Sequence, residues 1–406
     1  MKISVGVFFG GCSVEHEVSV ISGLQAFAAL DREKYEPVAI YQAKDGHFYT
    51  GEKTGDISAY RDIAALLKSS APVELVREDN KVWLKKCGLL SKKLRALDVA
   101  LPVFHGTYGE DGCFQGLMEQ LRLPYCGCGV LASALGMDKY MMKAAFMQAG
   151  VNCLPGIRIT KHQYYSDPEA AKKTAETALG YPMIVKPCNL GSSVGIGKAK
   201  DSDSLSAKLE DAFLYTDAVL CERCIEELTE INCSVMGDNE EARPSVCEQP
   251  LGGDEFLSYA DKYQSGGGTK GAKSGAKTPS GSKQSGMASL SRIIPAPIGD
   301  RMTEKVQDMA VQAFHAIGGE GIARIDLMLD RSTGELYVNE INTLPGSLSF
   351  YLWEHSGVSF KDMLDRLISL ALKRQRKRSA LTLSFDSNLL KTAGAVGAKG
   401  AKGSKR

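Results

Sequence analysis

Between Ile322 and Gly346 the chain reads IARIDLML, then DRSTGE, then LYVNEINTLPG, and this stretch restricts the fold more than any other. On either side of Ser332-Thr333-Gly334 the residues alternate as in a half-buried strand. Arg324, Asp326 and Met328 share one face, and Leu336, Val338, Glu340 and Asn342 share another, so the spacing predicts a hairpin turning at Ser332-Thr333-Gly334. An odd loop, for instance Arg331 to Glu335, makes the two faces coincide, with Asp326 opposite Glu340 and Arg324 opposite Asn342. An even loop separates them. Two carboxylates and an amide oxygen on one face repel each other unless something positive sits between them. Oxygen ligands without His or Cys point to Mg²⁺ or Mn²⁺ rather than zinc, and Mg²⁺ held in this way usually arrives with substrate phosphates. The alternative is a surface ladder pairing Arg324 with Glu340.

A chain of 406 residues is too long for one core and suggests two or three domains. Its 44% hydrophobic and 24% charged residues are those of an ordinary soluble globular protein. From Lys373 to Arg406 ten basic residues face the single Asp386, so the formal net charge of +1 divides into +9 for the tail and −8 for the body. An acidic body argues against nucleic acid as a partner. No run approaches the roughly 18 apolar residues of a membrane span. The opening MKISVGVFFGG reads as a buried first strand rather than a signal peptide. Eleven scattered Cys without an export signal read as reduced thiols of a cytosolic protein. Cys221 and Cys224 form a CxxC, but no second pair follows at zinc-ribbon spacing.

Taken in order, Ile3 to Phe9 is a strand, Gly10-Gly11 turns the chain, and Ser13 is a plausible cap for a helix through Leu30. Glu15, just before that helix, suits an ammonium group, or is simply a helix-start charge favoured by the dipole. The strand from Asp98 to Phe104 runs into the loop His105 to Gly112, with three glycines, a His and two acids at a strand's carboxyl end, where open α/β sheets place ligands. Asp138-Lys139 begins a Met- and Ala-rich helix. A second strand ends in Lys186 and is followed by Gly191-Ser192-Ser193-Val194-Gly195-Ile196-Gly197. Hydroxyls and open backbone N–H groups there make a cover for phosphates with Lys186 as a point charge beneath it, unless the segment is an ordinary glycine hairpin. The strand Ala218 to Glu222 ends among acids including Glu230, which can accept from an adenine amino group or ribose hydroxyls. From Ser265 to Ser289 the chain is almost pure Gly, Ser, Lys and Ala, read as a mobile cationic lid following Lys262-Tyr263. Phe360 to Leu372 is a closing amphipathic helix, and residues 373–406 read as a disordered basic tail.

The ordered segments GGCSVEHEVSVISG, HGTYGEDGCFQG, LPYCGCGVLASALGMDKY, VKPCNLGSSVGIG and ARIDLML with VNEINTLPG closely resemble those of D-alanine:D-alanine ligases, members of the ATP-grasp superfamily, across Met1 to Leu372. The resemblance implies an α/β, three-domain ATP-grasp fold: an N-terminal Rossmann-like parallel-sheet domain over 1–137, a central lobe over 138–232 and a C-terminal lobe over 233–372. It implies that ATP phosphorylates one D-alanine and that the amine of a second attacks the acyl phosphate, for peptidoglycan synthesis in the cytoplasm. Asp326, Glu340 and Asn342 would hold two Mg²⁺ or Mn²⁺ ions. Lys139, Lys186, Ser193 and Lys262 would meet ATP phosphates, Glu222 the adenine and Glu230 the ribose. Arg324 and the Gly346 N–H would stabilise the oxyanion, while Glu15, with Ser192 and Tyr263, would orient the first D-alanine beside His105. A Tyr at 263 goes with D-alanine as acceptor in this family. The family's Ser-Leu pair for the acceptor carboxylate falls here at Tyr351-Leu352, which leaves Ser347 or Ser349 as replacements. A homodimer is expected, with no nucleic-acid or membrane partner. The alternatives are a ligase making D-alanyl-D-serine or D-alanyl-D-lactate, and a nucleotide-binding module without catalysis.

Overall fold

The computed structural model describes residues 2–88, 91–191, 194–251 and 292–382. Three sheets follow one another along the chain. The first contains β1 (Ile3–Gly10), β2 (Tyr35–Gln42), β3 (Phe48–Thr50), β4 (Ala71–Glu78), β5 (Lys81–Lys86), β6 (Lys93–Leu97) and β7 (Val99–Pro102), in the order β6-β5-β4-β3-β2-β1-β7. β2, β1 and β7 run parallel, and β3 to β6 extend one edge as an antiparallel meander. The expected parallel sheet is therefore one end of a mixed one. β1 is buried along nearly its whole length, as a strand covered on both faces must be. At its end Gly10 has φ +97°, and a Cβ there would stand 2.2 Å from the Gln42 carbonyl, so only glycine turns the chain here.

The second sheet is antiparallel, with β8 (Gly156–Thr160), β9 (Met183–Pro187), β10 (Gly197–Ala199) and β11 (Ala218–Arg223) in the order β10-β9-β11-β8. The third contains β12 (Leu228–Gly237), β13 (Ala242–Pro250), β14 (Arg292–Ile293), β15 (Gly321–Asp330) and β16 (Glu335–Asn342), in the order β14-β13-β12-β15-β16. It begins at Leu228, a little before the expected boundary at 232. Its edge strand β14 is only two residues long, Arg292–Ile293.

The closing helix does not stop at Leu372 but continues from Phe360 to Ser379. Two forces extend it. Its apolar face, including Leu364 and Leu367, shares one core with Val5 and Phe9 of β1, so the chain's end returns to the first domain. Its basic last turns find acids: Lys373 Nζ lies 2.6 Å from Asp238 and 2.7 Å from Glu240, Arg374 lies 2.8 Å from Glu320, and Arg378 pairs with Glu119. Cations at a helix C-terminus also complement its dipole. The expected disordered tail is thus helical and paired to Ser379, and residues 383–406 lie outside the described ones. All eleven thiols are free, and burial pushes Cys221 up to about 12, so the CxxC is an inert part of the core. Among the described residues no helix is long and apolar enough to cross a membrane.

Candidate active site

The hairpin β15–β16 does bring Asp326 opposite Glu340 and Arg324 opposite Asn342, but not by an odd loop. Asp330 pairs with Glu335, leaving the even loop 331–334, which by itself would turn Glu340 away. The register shifts between Asp326 and Leu327, and Asn339 is the extra residue on β16. This bulge restores the common face and aims Asn339 at the second sheet, where its Oδ1 accepts from Lys186 Nζ at 3.1 Å.

On that face Arg324 closes a fork on Asp326, Nε to Oδ1 at 2.6 Å and Nη2 to Oδ2 at 2.7 Å. The ladder from Arg324 to Glu340 is therefore not formed. Burial works against the Arg324 charge, but Asp326 outweighs it and raises the guanidinium well above its ordinary value. Asn342 Nδ2 donates to Asp326 Oδ2 at 3.1 Å, leaving its oxygen as the amide's acceptor. Lys139 Nζ lies 3.4 Å from Glu340 and donates to the Leu190 carbonyl at 2.8 Å. Asp138 caps the helix that carries it, accepting from Tyr140 and Met141 N–H.

One cavity gathers Glu15, His105, Lys139, Arg324, Asp326 and Glu340, and Asn342 and Gly346 complete the same wall. Glu15 precedes helix α1 (His16–Ala29) and is 8% exposed. Ser13 is not the helix cap; its hydroxyl instead takes the Glu15 N–H at 3.2 Å and donates to the His105 carbonyl. Gly106, with φ +77°, lets the loop pass Glu15, since a Cβ there would lie 3.1 Å from Glu15 Oε2. His105 Nδ1–H donates to the Leu344 carbonyl at 3.0 Å, so Nε2 accepts from the Ser22 hydroxyl at 3.2 Å, which in turn accepts the Ser347 N–H at 3.1 Å. Burial lowers the His105 pKa, and the ring is a neutral post joining α1 to the turn after β16. That turn is tense: Ser347, Leu348 and Ser349 are all left-handed, with φ of 50°, 52° and 50°. Each costs about 1–2 kcal/mol, and strain of this kind gathers at functional sites.

Other expected residues have acquired protein partners. Glu222 has both oxygens taken, by Lys186 at 2.5 Å and by Lys143 at 2.5 Å, with all three residues buried. Burial alone would raise its pKa, but Lys186 and then Lys143 reverse the sign and lower it. Ser347 Oγ donates to Gln25 Oε1 at 2.9 Å. Tyr351 donates to Glu248 at 3.0 Å, and Leu352 is fully buried. Glu230 lies on β12 opposite Met328 with its side chain exposed. Ser192, Ser193, Lys262, Tyr263 and the lid over 265–289 lie outside the described residues.

The family of the D-ala D-ala ligase N-terminus matches residues 4–128, and that of the D-ala D-ala ligase C-terminus matches 145–285 and 280–369. The chain belongs to the D-alanine–D-alanine ligase family. A D-alanine–D-alanine ligase of Geobacillus thermodenitrificans is 36% identical over 393 residues, covering 95% of this chain and all of the relative. One from Heliobacterium modesticaldum is 38% identical over 386 residues, covering 93% of this chain and 97% of the relative. Among solved structures, the D-alanine-D-alanine ligase of Coxiella burnetii superposes with a TM-score of 0.75 at 25% identity, covering 93% of this chain and 96% of its own. The VanG D-Ala:D-Ser ligase of Enterococcus faecalis gives 0.74 at 28%, covering 91% and 100%.

In this ligase Lys143 and Glu248 are not singled out by the sequence, and Glu110 stands there only as one of the two acids in the loop after His105. Lys143 sits four residues after Lys139 on one helix face, a spacing that marks a shared surface. Glu248 lies in the run PSVCEQP, an isolated acid among buried strand residues. Glu110 lines the cavity, and burial, with Glu15 and Glu340 adding, pushes its carboxyl up to about 8. Folded Glu110 therefore keeps its proton over a range where the unfolded chain loses it, so this group's contribution to stability is present at low pH and is lost between about pH 4.5 and 8. Glu110→Gln is expected to leave the nucleotide-free protein's stability near pH 4.5 unchanged and to raise it by roughly 2–4 kcal/mol at pH 8. Urea unfolding at both pH values checks this, and equal stabilities of the two proteins at pH 8 refute it.

Proposed function

We infer that the protein joins two D-alanines into D-alanyl-D-alanine at the expense of ATP, through an acyl phosphate, for cell-wall peptidoglycan. The observation that carries this reading is the single cavity holding a carboxylate for an ammonium group, a guanidinium, and the oxygen set Asp326, Glu340 and Asn342. The γ-phosphoryl group passes to a carboxylate oxygen of the first D-alanine and ADP leaves. The amine of the second then attacks the acyl carbon, loses a proton, and expels phosphate. Glu15 orients the first ammonium. Arg324 and the Gly346 N–H meet the oxyanion of the tetrahedral intermediate. Lys139 and Lys186 face the phosphates, and Glu222, tied to Lys143, fixes the position of Lys186. Glu230 is assigned to the ribose, and Ser192, Ser193, Lys262 and Tyr263 to the phosphates and first substrate.

Hard oxygens fit Mg²⁺ or Mn²⁺, and the negative charge on this face is already balanced by cations, Arg324 at Asp326 and Lys139 at Glu340. Asp326, Glu340 and Asn342 would hold two such ions, which offset charge on the transferring phosphoryl group. A cytoplasmic homodimer belongs to the same proposal and is checked by light scattering. Purified protein is expected to release phosphate from ATP only with both D-alanine and Mg²⁺ present. Product analysis with D-alanine, D-serine and D-lactate offered together is expected to give D-alanyl-D-alanine as the main product. Absence of stimulation by any D-amino acid would sink the reading.

A further inference from the structure

The chain crosses from one hydrophobic core to another at Gly127. Tyr125 and Cys126 belong to the core that holds Val5 of β1 and Leu364 and Leu367 of the closing helix, whereas Cys128 belongs to the core that holds Ala323 and Ile325 of β15. Tyr125 also bridges Ala100 of β7, the strand that leads to His105. On its other side the crossing meets the start of β15. A Cβ at Gly321 would stand 2.5 Å from the Gly127 Cα and 2.7 Å from its nitrogen, and Gly321 has φ +78°. Two bare backbones therefore touch here, on the same strand as Arg324 and Asp326 and a few residues before them.

Arg374, on the closing helix, holds this crossing. Its Nη2 donates to the Tyr125 carbonyl, and its Nη1 donates to the Gly127 carbonyl at 2.8 Å and to the Glu320 carboxylate at 2.8 Å. The guanidinium carbon stands 4.1 Å from the centroid of the Tyr125 ring, which fixes the plane of the fork. The side chain is 9% exposed, and with Gly127, Glu320 and Gly321 it lines a second cavity. Complementing the helix dipole requires none of this. Lys377 does so from the surface, paired with Glu240. What the crossing separates matters for the chemistry. Glu15 and His105 follow β1 and β7 of the first sheet, Arg324 and Asp326 lie on β15 of the third, and all four line one cavity. The offset between the two halves is set where the two backbones touch.

We propose that Arg374 is a positioning residue for the ligation: by clasping the crossing at Gly127 it sets the spacing between the first amino acid, held by Glu15, and the groups on β15 that act on its carboxylate. It touches no substrate and acts through the backbones of Gly127 and Gly321. This rests on the ligase reading above. The nucleotide side lies beyond the crossing from Glu15. The helix of Lys139 packs through Met142 and Phe146 into the core of β15, and Lys186 is tied to Asn339 of β16. Loosening the clasp therefore shifts the first amino acid against the nucleotide and leaves nucleotide binding itself intact.

The test is steady-state kinetics of Arg374→Ala and Arg374→Lys beside wild type and Lys377→Met, which removes a tie of the same helix that does not reach the crossing. A misplacement of about 1 Å made far from the chemistry costs up to about a hundredfold. Arg374→Ala is accordingly expected to lower kcat about tenfold to a hundredfold and to raise the KM for the first D-alanine about fivefold, while the KM for ATP stays within about twofold. Millimolar guanidinium chloride, far below denaturing concentrations, should restore part of that rate by entering the enlarged cavity, and sodium chloride should not. Arg374→Lys keeps a charge beside Glu320 but lacks the fork for both carbonyls, so it should fall between, and it serves should Arg374→Ala not fold. Lys377→Met should match wild type. Folded Arg374 variants with kcat and all KM values within about twofold of wild type overturn the proposal, as does an equal rise in the KM for ATP or an equal loss in Lys377→Met, and each of these leaves the ligase reading standing. Absence of dipeptide from wild type removes both.

Discussion

Glu340→Gln is expected to lower turnover by about a thousandfold or more while the protein still folds. The substitution keeps the shape of the side chain and removes one charge from the face shared with Asp326. That charge has two tasks. It holds Lys139, 3.4 Å away, in the wall of the cavity, and it supplies the carboxylate that completes the proposed metal-binding set. Stability should change little or rise, because Glu340 is part of what pushes Asp326 and Glu110 towards protonation. Steady-state rates with saturating D-alanine, together with a melting curve, decide the matter. A rate within tenfold of wild type refutes the assignment.

Arg324→Met is expected to cost both activity and stability. Arg324 is buried, Asp326 is largely so, and two short bonds join them, so removing the guanidinium strands a carboxylate that water reaches poorly. Breaking a buried pair from one side costs about 3–5 kcal/mol. Loss of an oxyanion donor lowers the rate by a further factor of about 10²–10³. The two effects separate in the double variant Arg324→Met with Asp326→Asn. Urea unfolding should show most of the stability restored, because no charge is left unpaired, whereas the rate should stay low. A single variant as stable as wild type would mean that water already reaches Asp326.

Lys143 shows where local reading ends. Its neighbours are Met and Ala, and its function as the second clamp on Glu222 depends on a strand 79 residues away, β11. The spacing from Lys139 puts both lysines on one helical face, but spacing cannot say which acid that face meets. Glu222 was legible as a functional acid, yet its partners were not. Ser13 was legible as a polar residue near a helix start, while its bond to the His105 carbonyl spans 92 positions.

The sequence by itself determined the chemistry of the central hairpin, because a strand repeats every two residues and that period is written locally. Arg324 and Asp326 must share a face, and so must Glu340 and Asn342. Whether the two faces are the same one was a tertiary matter. The loop came out even, and only the bulge at Asn339, stabilised by Lys186 from another sheet 153 positions earlier, brought Asp326 and Glu340 together. The cluster around Glu248 has the same character. Tyr351 and Glu248 are 103 positions apart and carry no shared period, so their meeting with Arg292 could emerge only once β13, β14 and the turn after Gly346 had packed.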